Sequence, residues 1–199
     1  GQNVNHAKRQ YREDRDPKET LFEFRRCLVH FAVDSDEVWM TTKLDGKGTY
    51  FLPFNKGLPN GQGKGNPVNP DGHKTAYLWQ DILTRQSLGN IIEHFAKVTK
   101  EGTKEPLYFP RYHQLEVVRK ILADLKKEGI GKRYLIQHSA GSGKSNSIAW
   151  LSYQLIELYD SGGEKNLFDS VIVVTDRRVL DRQLDRNIRQ FSEFKNLLA

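Results

Sequence analysis

Apolar positions recur along this chain with two periods, and each period predicts a different kind of element. Phe22, Phe24, Leu28, Val29, Phe31 and Val33 form a β-rich run, Asp34-Ser35-Asp36 supplies turn chemistry, and Val38-Trp39-Met40-Thr41-Thr42 follows, which predicts two antiparallel strands. Asp45-Gly46 marks the next turn, and Thr49-Tyr50-Phe51-Leu52 reads as a third strand. Residues 76–83 and 87–98 read as two packing helices, the second with Ser87 as N-cap and Ile91, Ile92 and Phe95 facing inward. A longer helix opens at Arg111-Tyr112-His113-Gln114, carries Leu115, Val118, Ile121, Leu122 and Leu125 on one face, and closes at Gly129.

The last third repeats a different order of elements. Residues 134–137 predict a short buried strand, and residues 146–159 predict a helix through Ile148, Leu151, Leu155 and Leu158. Four consecutive β-branched residues, Val171-Ile172-Val173-Val174, predict a strand buried on both faces, as in a parallel sheet. An amphipathic helix over 179–191 follows, through Leu180, Leu184, Ile188 and Phe191. The fold class expected is therefore α/β.

Between these elements the polar stretches suggest the organisation. Residues 4–18 are densely charged and read as a solvated helix or tail. Between Pro53 and His73 glycine, proline and asparagine accumulate and no period survives; the reading favoured is a mobile loop, with DNA-backbone contact through Lys56, Lys64 and Lys74 as the other. Residues 100–106 form a polar connector, which places the expected domain boundary between 1–105 and 106–199.

Composition narrows the partners and the compartment. Thirty-one Lys and Arg against 25 Asp and Glu give a net charge of +6, which fits a nucleic-acid partner. The single cysteine, Cys27, excludes an intrachain disulfide and fits a reducing, cytoplasmic compartment. No apolar stretch approaches the ~20 residues of a membrane-spanning helix, and no signal peptide is visible. Met40 is the only methionine and the chain opens Gly1-Gln2-Asn3, so it reads as a piece of a longer protein.

Chemistry concentrates in His138-Ser139-Ala140-Gly141-Ser142-Gly143-Lys144-Ser145. A glycine-rich turn between a strand and a helix presents backbone N–H groups where the helix dipole is positive, and so cradles phosphate. Gly141 and Gly143 let the backbone curl, Ser142 lies between them, Lys144 would reach the β- and γ-phosphates, and the Ser145 hydroxyl would ligate Mg²⁺. The strict phosphate-loop pattern has glycine where this chain has His138; the shorter Gly-x-Gly-Lys-Ser form is intact. Gln114 reads either as a surface residue in a first helical turn or as an adenine reader, because an amide both donates and accepts. Thr175 separates the apolar run from Asp176, and Arg177 stands where ATP-hydrolysing motors carry glutamate, so this run reads as a further strand rather than a metal-binding acid. Arg177 and Arg178 are candidates for holding a nucleic-acid phosphate.

Arg111-Tyr112-His113-Gln114, then Gly141 to Ser145, then Thr175-Asp176-Arg177-Arg178-Val179-Leu180-Asp181-Arg182-Gln183 resembles the Q-motif, motif I and motif Ia of superfamily 2 helicases. Upstream, Arg15-Asp16-Pro17-Lys18-Glu19, the run from Cys27 to Val33, and Thr49 to Gly57 resemble the restriction (motor) subunit of type I restriction-modification enzymes. This resemblance covers nearly the whole chain. It implies distal strands and helices of a PD-(D/E)xK-type nuclease domain over 1–105, followed by the first part of a RecA-like lobe with a parallel sheet. It also implies ATP and Mg²⁺ as cofactors, double-stranded DNA as substrate, and methylation and specificity subunits as partners. In such a parent, a site-specific deoxyribonuclease driven by ATP, Gln114 would contact adenine, and Arg177 and Arg178 the DNA backbone.

Two departures limit what this chain alone would do. Pro70-Asp71 with Asp124-Leu125-Lys126 fits the nuclease letters, but its second part lies inside a motor helix, and Glu193-Phe194-Lys195 lies downstream of the motor motifs. No catalytic residue is therefore assigned. The chain also ends before an Asp-Glu motif or a second lobe, so by itself it is not expected to hydrolyse ATP appreciably. The alternatives are another superfamily 2 DNA-dependent ATPase with an unrelated N-terminal domain, or a non-catalytic nucleotide- or DNA-binding module.

Overall fold

A computed structural model describes residues 2–59, 63–99, 103, 105–160, 162–175 and 188. The chain divides into two units, Gly1–His113 and Gln114–Ala199. In the first, helix α1 (Val4–Arg9) is started by Asn3, whose side chain accepts from the N–H groups of Asn5 and His6 while His6 Nδ1 accepts from the Asn3 N–H. A π-helical turn, Gln10–Asp14, continues it.

Strands β1 (His30–Val33), β2 (Val38–Thr41) and β3 (Leu52–Pro53) form an antiparallel meander with Phe31 opposite Met40 and Met40 opposite Leu52. Asp34 closes the first hairpin: its Oδ1 accepts from Asp36 N–H and Glu37 N–H, both at 2.8 Å, and its Oδ2 accepts from Val4 N–H at 2.8 Å. The third strand is shorter than its pattern predicts, because Thr49 belongs to the preceding turn. Its Oγ1 donates to Gly46 O at 2.7 Å and accepts from Asp45 N–H at 2.9 Å. Ala32, Phe51 and Val4 are buried together, and the Phe31 and Phe54 rings pack edge-on at 5.3 Å.

The glycine- and proline-rich stretch is fastened to the sheet rather than loose. Asn66 is buried: its Oδ1 accepts from Lys56 N–H at 2.8 Å, and its Nδ2 donates to Asp36 O and Asn55 Oδ1, both at 2.9 Å. Leu78–Ile82 is a π-helical turn, and α2 (Arg85–His94) is capped by Thr84, not Ser87. The Thr84 Oγ1 accepts from Ser87 N–H, which leaves Ser87 inside the helix and buried. Ile91 and Phe95 point inward as expected, whereas Ile92 is half exposed, one residue being a 100° rotation away. Strands β4 (Lys97–Val98) and β5 (Leu107–Tyr108) pair antiparallel.

Helix α3 (Tyr112–Glu128), which falls in the second unit from Gln114 onward, and α4 (Lys144–Ile156) build the core of that unit. Ile121, Leu125 and Leu158 are buried in one cluster, joined by Leu151, Leu155, Leu167 and Phe168. Both helices follow their predicted apolar faces, except that Ile148 is exposed. The parallel sheet is the main correction. Among the described residues both sheets are antiparallel, and residues 131–138 and 171–175 form no strand. A strand buried on both faces takes its ladder from neighbours on each side. Neither run has such a neighbour among the described residues, and Leu135 (93%), Ile172 (85%) and Val174 (86%) are exposed. Among the described residues, no helix is long and apolar enough to cross a membrane. Arg177, Arg178 and the helix expected to follow them lie outside the described residues, apart from Ile188.

Candidate phosphate site

The turn between residues 138 and 144 is built by two glycines in left-handed conformations, Gly141 at φ +71° and Gly143 at φ +79°. Ser142 N–H donates to Ser139 O at 3.3 Å, which tightens the turn. Gly143 caps the helix from its backbone: its carbonyl accepts from Asn146 N–H at 3.0 Å and Ser147 N–H at 3.4 Å. The N–H groups of Gly143, Lys144 and Ser145 find no acceptor among the described residues. They are the orphan donors of a helix start, with the positive end of the dipole behind them.

Two side chains act on this turn. Lys144 is exposed, and its Nζ donates to His138 O at 3.2 Å and Ser139 O at 2.9 Å, so the ammonium folds back over the rim of its own loop. Gln114 lies on the other side, only 3% exposed, and its Nε2 donates to Ser142 O at 3.2 Å and Gly143 O at 3.0 Å. It is not the surface residue that one sequence reading made of it. His138 has its basicity lowered by burial first and by the Lys144 charge second, with Glu116 acting the other way. His138 thus stands next to the lysine at the position where the strict pattern has glycine.

The structure therefore brings Gln114, Gly141, Ser142, Gly143, Lys144 and Ser145 into one site. Sequence reading missed where Lys144 rests, because backbone carbonyls carry no letter. It also missed that α4 buries Ser147 and Gln154, whose Oγ and Nε2 have no partner among the described residues.

A helix start with three open N–H groups, a lysine at the rim and a hydroxyl in the first turn is an arrangement that could hold a phosphate. Residues 113–197, under half of the 199, match the family model of the SWI2/SNF2 ATPase. The match takes in Gln114 and the whole loop, and it supports a superfamily 2 helicase-like, ATP-hydrolysing class for this region. No curated protein and no solved structure matches the chain.

Proposed function

We propose that this chain is the nucleotide-binding part of an ATP-dependent, DNA-translocating and DNA-cleaving motor subunit of the type I restriction kind. The single observation that carries the nucleotide reading is the set of three open N–H groups at Gly143, Lys144 and Ser145, with the Lys144 ammonium at the rim. Those N–H groups and Lys144 would hold the phosphates of ATP, and the Ser145 hydroxyl would ligate Mg²⁺. When bound, the nucleotide supplies the transferable phosphoryl group. The chain's own part is to orient it and to neutralise its charge, which requires Lys144 to leave the carbonyls of His138 and Ser139. Arg177 and Arg178 would contact the phosphates of double-stranded DNA. Methylation and specificity subunits are the proposed partners, on the strength of the upstream resemblance.

The SWI2/SNF2 match favours a second reading, another superfamily 2 DNA-dependent ATPase with an unrelated N-terminal unit. Cleavage of DNA by the parent protein separates the two: ATP-dependent cleavage supports the first, and DNA-stimulated ATPase activity without it supports the second. The nucleotide reading itself is tested by calorimetric titration of ATP–Mg²⁺ into the chain and its Lys144→Ala variant. Weak binding that the variant loses is expected; equal affinity in both overturns the assignment.

A further inference from the structure

We infer that the cavity at the turn of Phe24 and Arg25, in the first unit, holds a phosphate of a nucleic-acid strand, and that the Glu105 carboxylate stands in for that phosphate on Arg25 when no strand is bound. The cavity measures about 680 Å³. Phe24 and Leu107 give it apolar walls, and Arg25, Thr42, Lys43 and Glu105 bring polar groups to it. Two cations share the Phe24 ring: the Arg25 guanidinium carbon lies 5.6 Å from its centroid and the Lys43 ammonium 6.0 Å. The ring holds both in place without neutralising either. Only one carboxylate among the described residues answers them, that of Glu105, which pairs with Arg25. Lys43 makes no ion pair among the described residues.

The backbone at Arg25 adds to this. With φ +76°, Arg25 is the one non-glycine residue in the left-handed region among the described residues. Glycine would take that conformation freely, whereas an arginine is strained there. The pair with Glu105 does not offset the strain, because both side chains are nearly half exposed, at 46% and 45%, and an ion pair in water is weak. A pair so open is also one that an incoming anion displaces. Glu105 takes one of the five guanidinium N–H donors, and a phosphate accepts from two at once. A nucleic-acid backbone suits the site better than a lone ion, since it brings phosphates at short intervals to both cations, and the net charge of +6 favours a polyanion. No residue of the phosphate loop takes part, so the two sites stand or fall separately.

Fluorescence anisotropy of a labelled oligothymidylate, over a series of salt concentrations, tests this on the whole chain and on Arg25→Gly, Lys43→Ala and Glu105→Gln. Arg25→Gly and Lys43→Ala are each expected to weaken binding about fivefold and to flatten the slope of log affinity against log salt by about 0.7. Glu105→Gln should bind about threefold tighter, because Arg25 is then released from its carboxylate. Glu164→Gln, which removes an exposed acidic charge from the second unit, should not. The melting midpoint of Arg25→Gly should stay at or above that of the unaltered chain, since the left-handed strain goes with the side chain. A weakening that only follows a lowered midpoint overturns the inference, and so does a Glu105→Gln chain that binds no tighter than the unaltered one. No binding by the unaltered chain, or salt slopes that the variants leave unchanged, does the same. Displacement of the strand by polyglutamate or by inorganic phosphate, at equal ionic strength, as readily as by unlabelled strand would make the site one for acidic peptide or free phosphate and would equally sink the proposal.

Discussion

The turn at Asp34 and the turn at Gly143 each gather backbone N–H groups, yet they end in opposite states. In the first unit the Asp34 carboxylate takes the N–H groups of Val4, Asp36 and Glu37, each at 2.8 Å. In the second, the N–H groups of Gly143, Lys144 and Ser145 have no acceptor among the described residues. The first turn carries its own anion and is complete. The second has glycine where a carboxylate would sit and is open to an anion from outside. A buried amide accompanies each turn, and the contrast repeats: Asn66 takes both a backbone N–H and a carbonyl of its surroundings, whereas the Gln114 Nε2 donates to the carbonyls of Ser142 and Gly143, on the same peptide units as two of the open N–H groups. Whether a loop binds or merely closes depends on which half of each peptide the side chain takes.

The largest effect expected from breaking this contrast is on stability, at Asn66. Asn66→Ala removes the partner of Lys56 N–H and Asp36 O and one of the two donors to Asn55 Oδ1, which still accepts from Val38 N–H, at a cost of about 3 kcal/mol. Urea unfolding should show that loss, while the folded variant keeps the tripolyphosphate affinity of the unaltered chain. A variant as stable as the parent would mean that Asn66 does not close its loop.

How far these features were legible depends on how far away each partner lies in sequence. The β1–β2 hairpin could be read because its two strands and its turn residues are contiguous, and α3 and α4 because one helix supplies its own hydrogen bonds. The runs at 134–137 and 171–174 have equally clear β patterns, but a parallel strand needs distant neighbours that the local pattern does not specify. At the site, glycine spacing revealed the loop, since only the backbone's freedom there is written in the letters. The targets of Gln114 and Lys144 are carbonyls, which every residue has, so their roles became visible only in three dimensions. Thr84 took the cap from Ser87 for a related reason: either residue suits an N-cap, and the chain geometry decides.

Gly143 offers the next test, and it sharpens the pairing of glycine with amide. Gly143→Ala places a Cβ at φ +79° and against the Gln114 amide. The left-handed strain and the displaced side chain together should lower the unfolding free energy by about 2 kcal/mol. In a Gln114→Ala background the collision is gone, and only the strain of roughly 1 kcal/mol remains. A double-mutant cycle from denaturant unfolding measures the difference. Strictly additive losses would mean that residues 114 and 143 do not act on each other.

The smallest effect concerns the anion that the first unit supplies for itself. Burial pushes the Asp34 carboxyl up, but N–H groups from Glu37, Asp36 and Val4 outweigh it and hold the group below its ordinary value. A carboxyl depressed in the folded state contributes stability that is fully present above its unfolded pKa, about 3.9, and is lost as pH falls through the lower, folded value. Asp34→Asn removes this term while keeping the shape, so it should be less stable by about 1 kcal/mol at pH 7, with the gap closing progressively below about pH 4. Asp36, held low by Lys74, titrates in both proteins and cancels from the comparison. Urea midpoints at pH 7, 4 and 3 follow the gap directly. A gap that stayed constant on acidification would show that the charge of Asp34 does not hold its three N–H groups, and the likeness between that internal anion and the external one proposed for Gly143 would lose its physical basis.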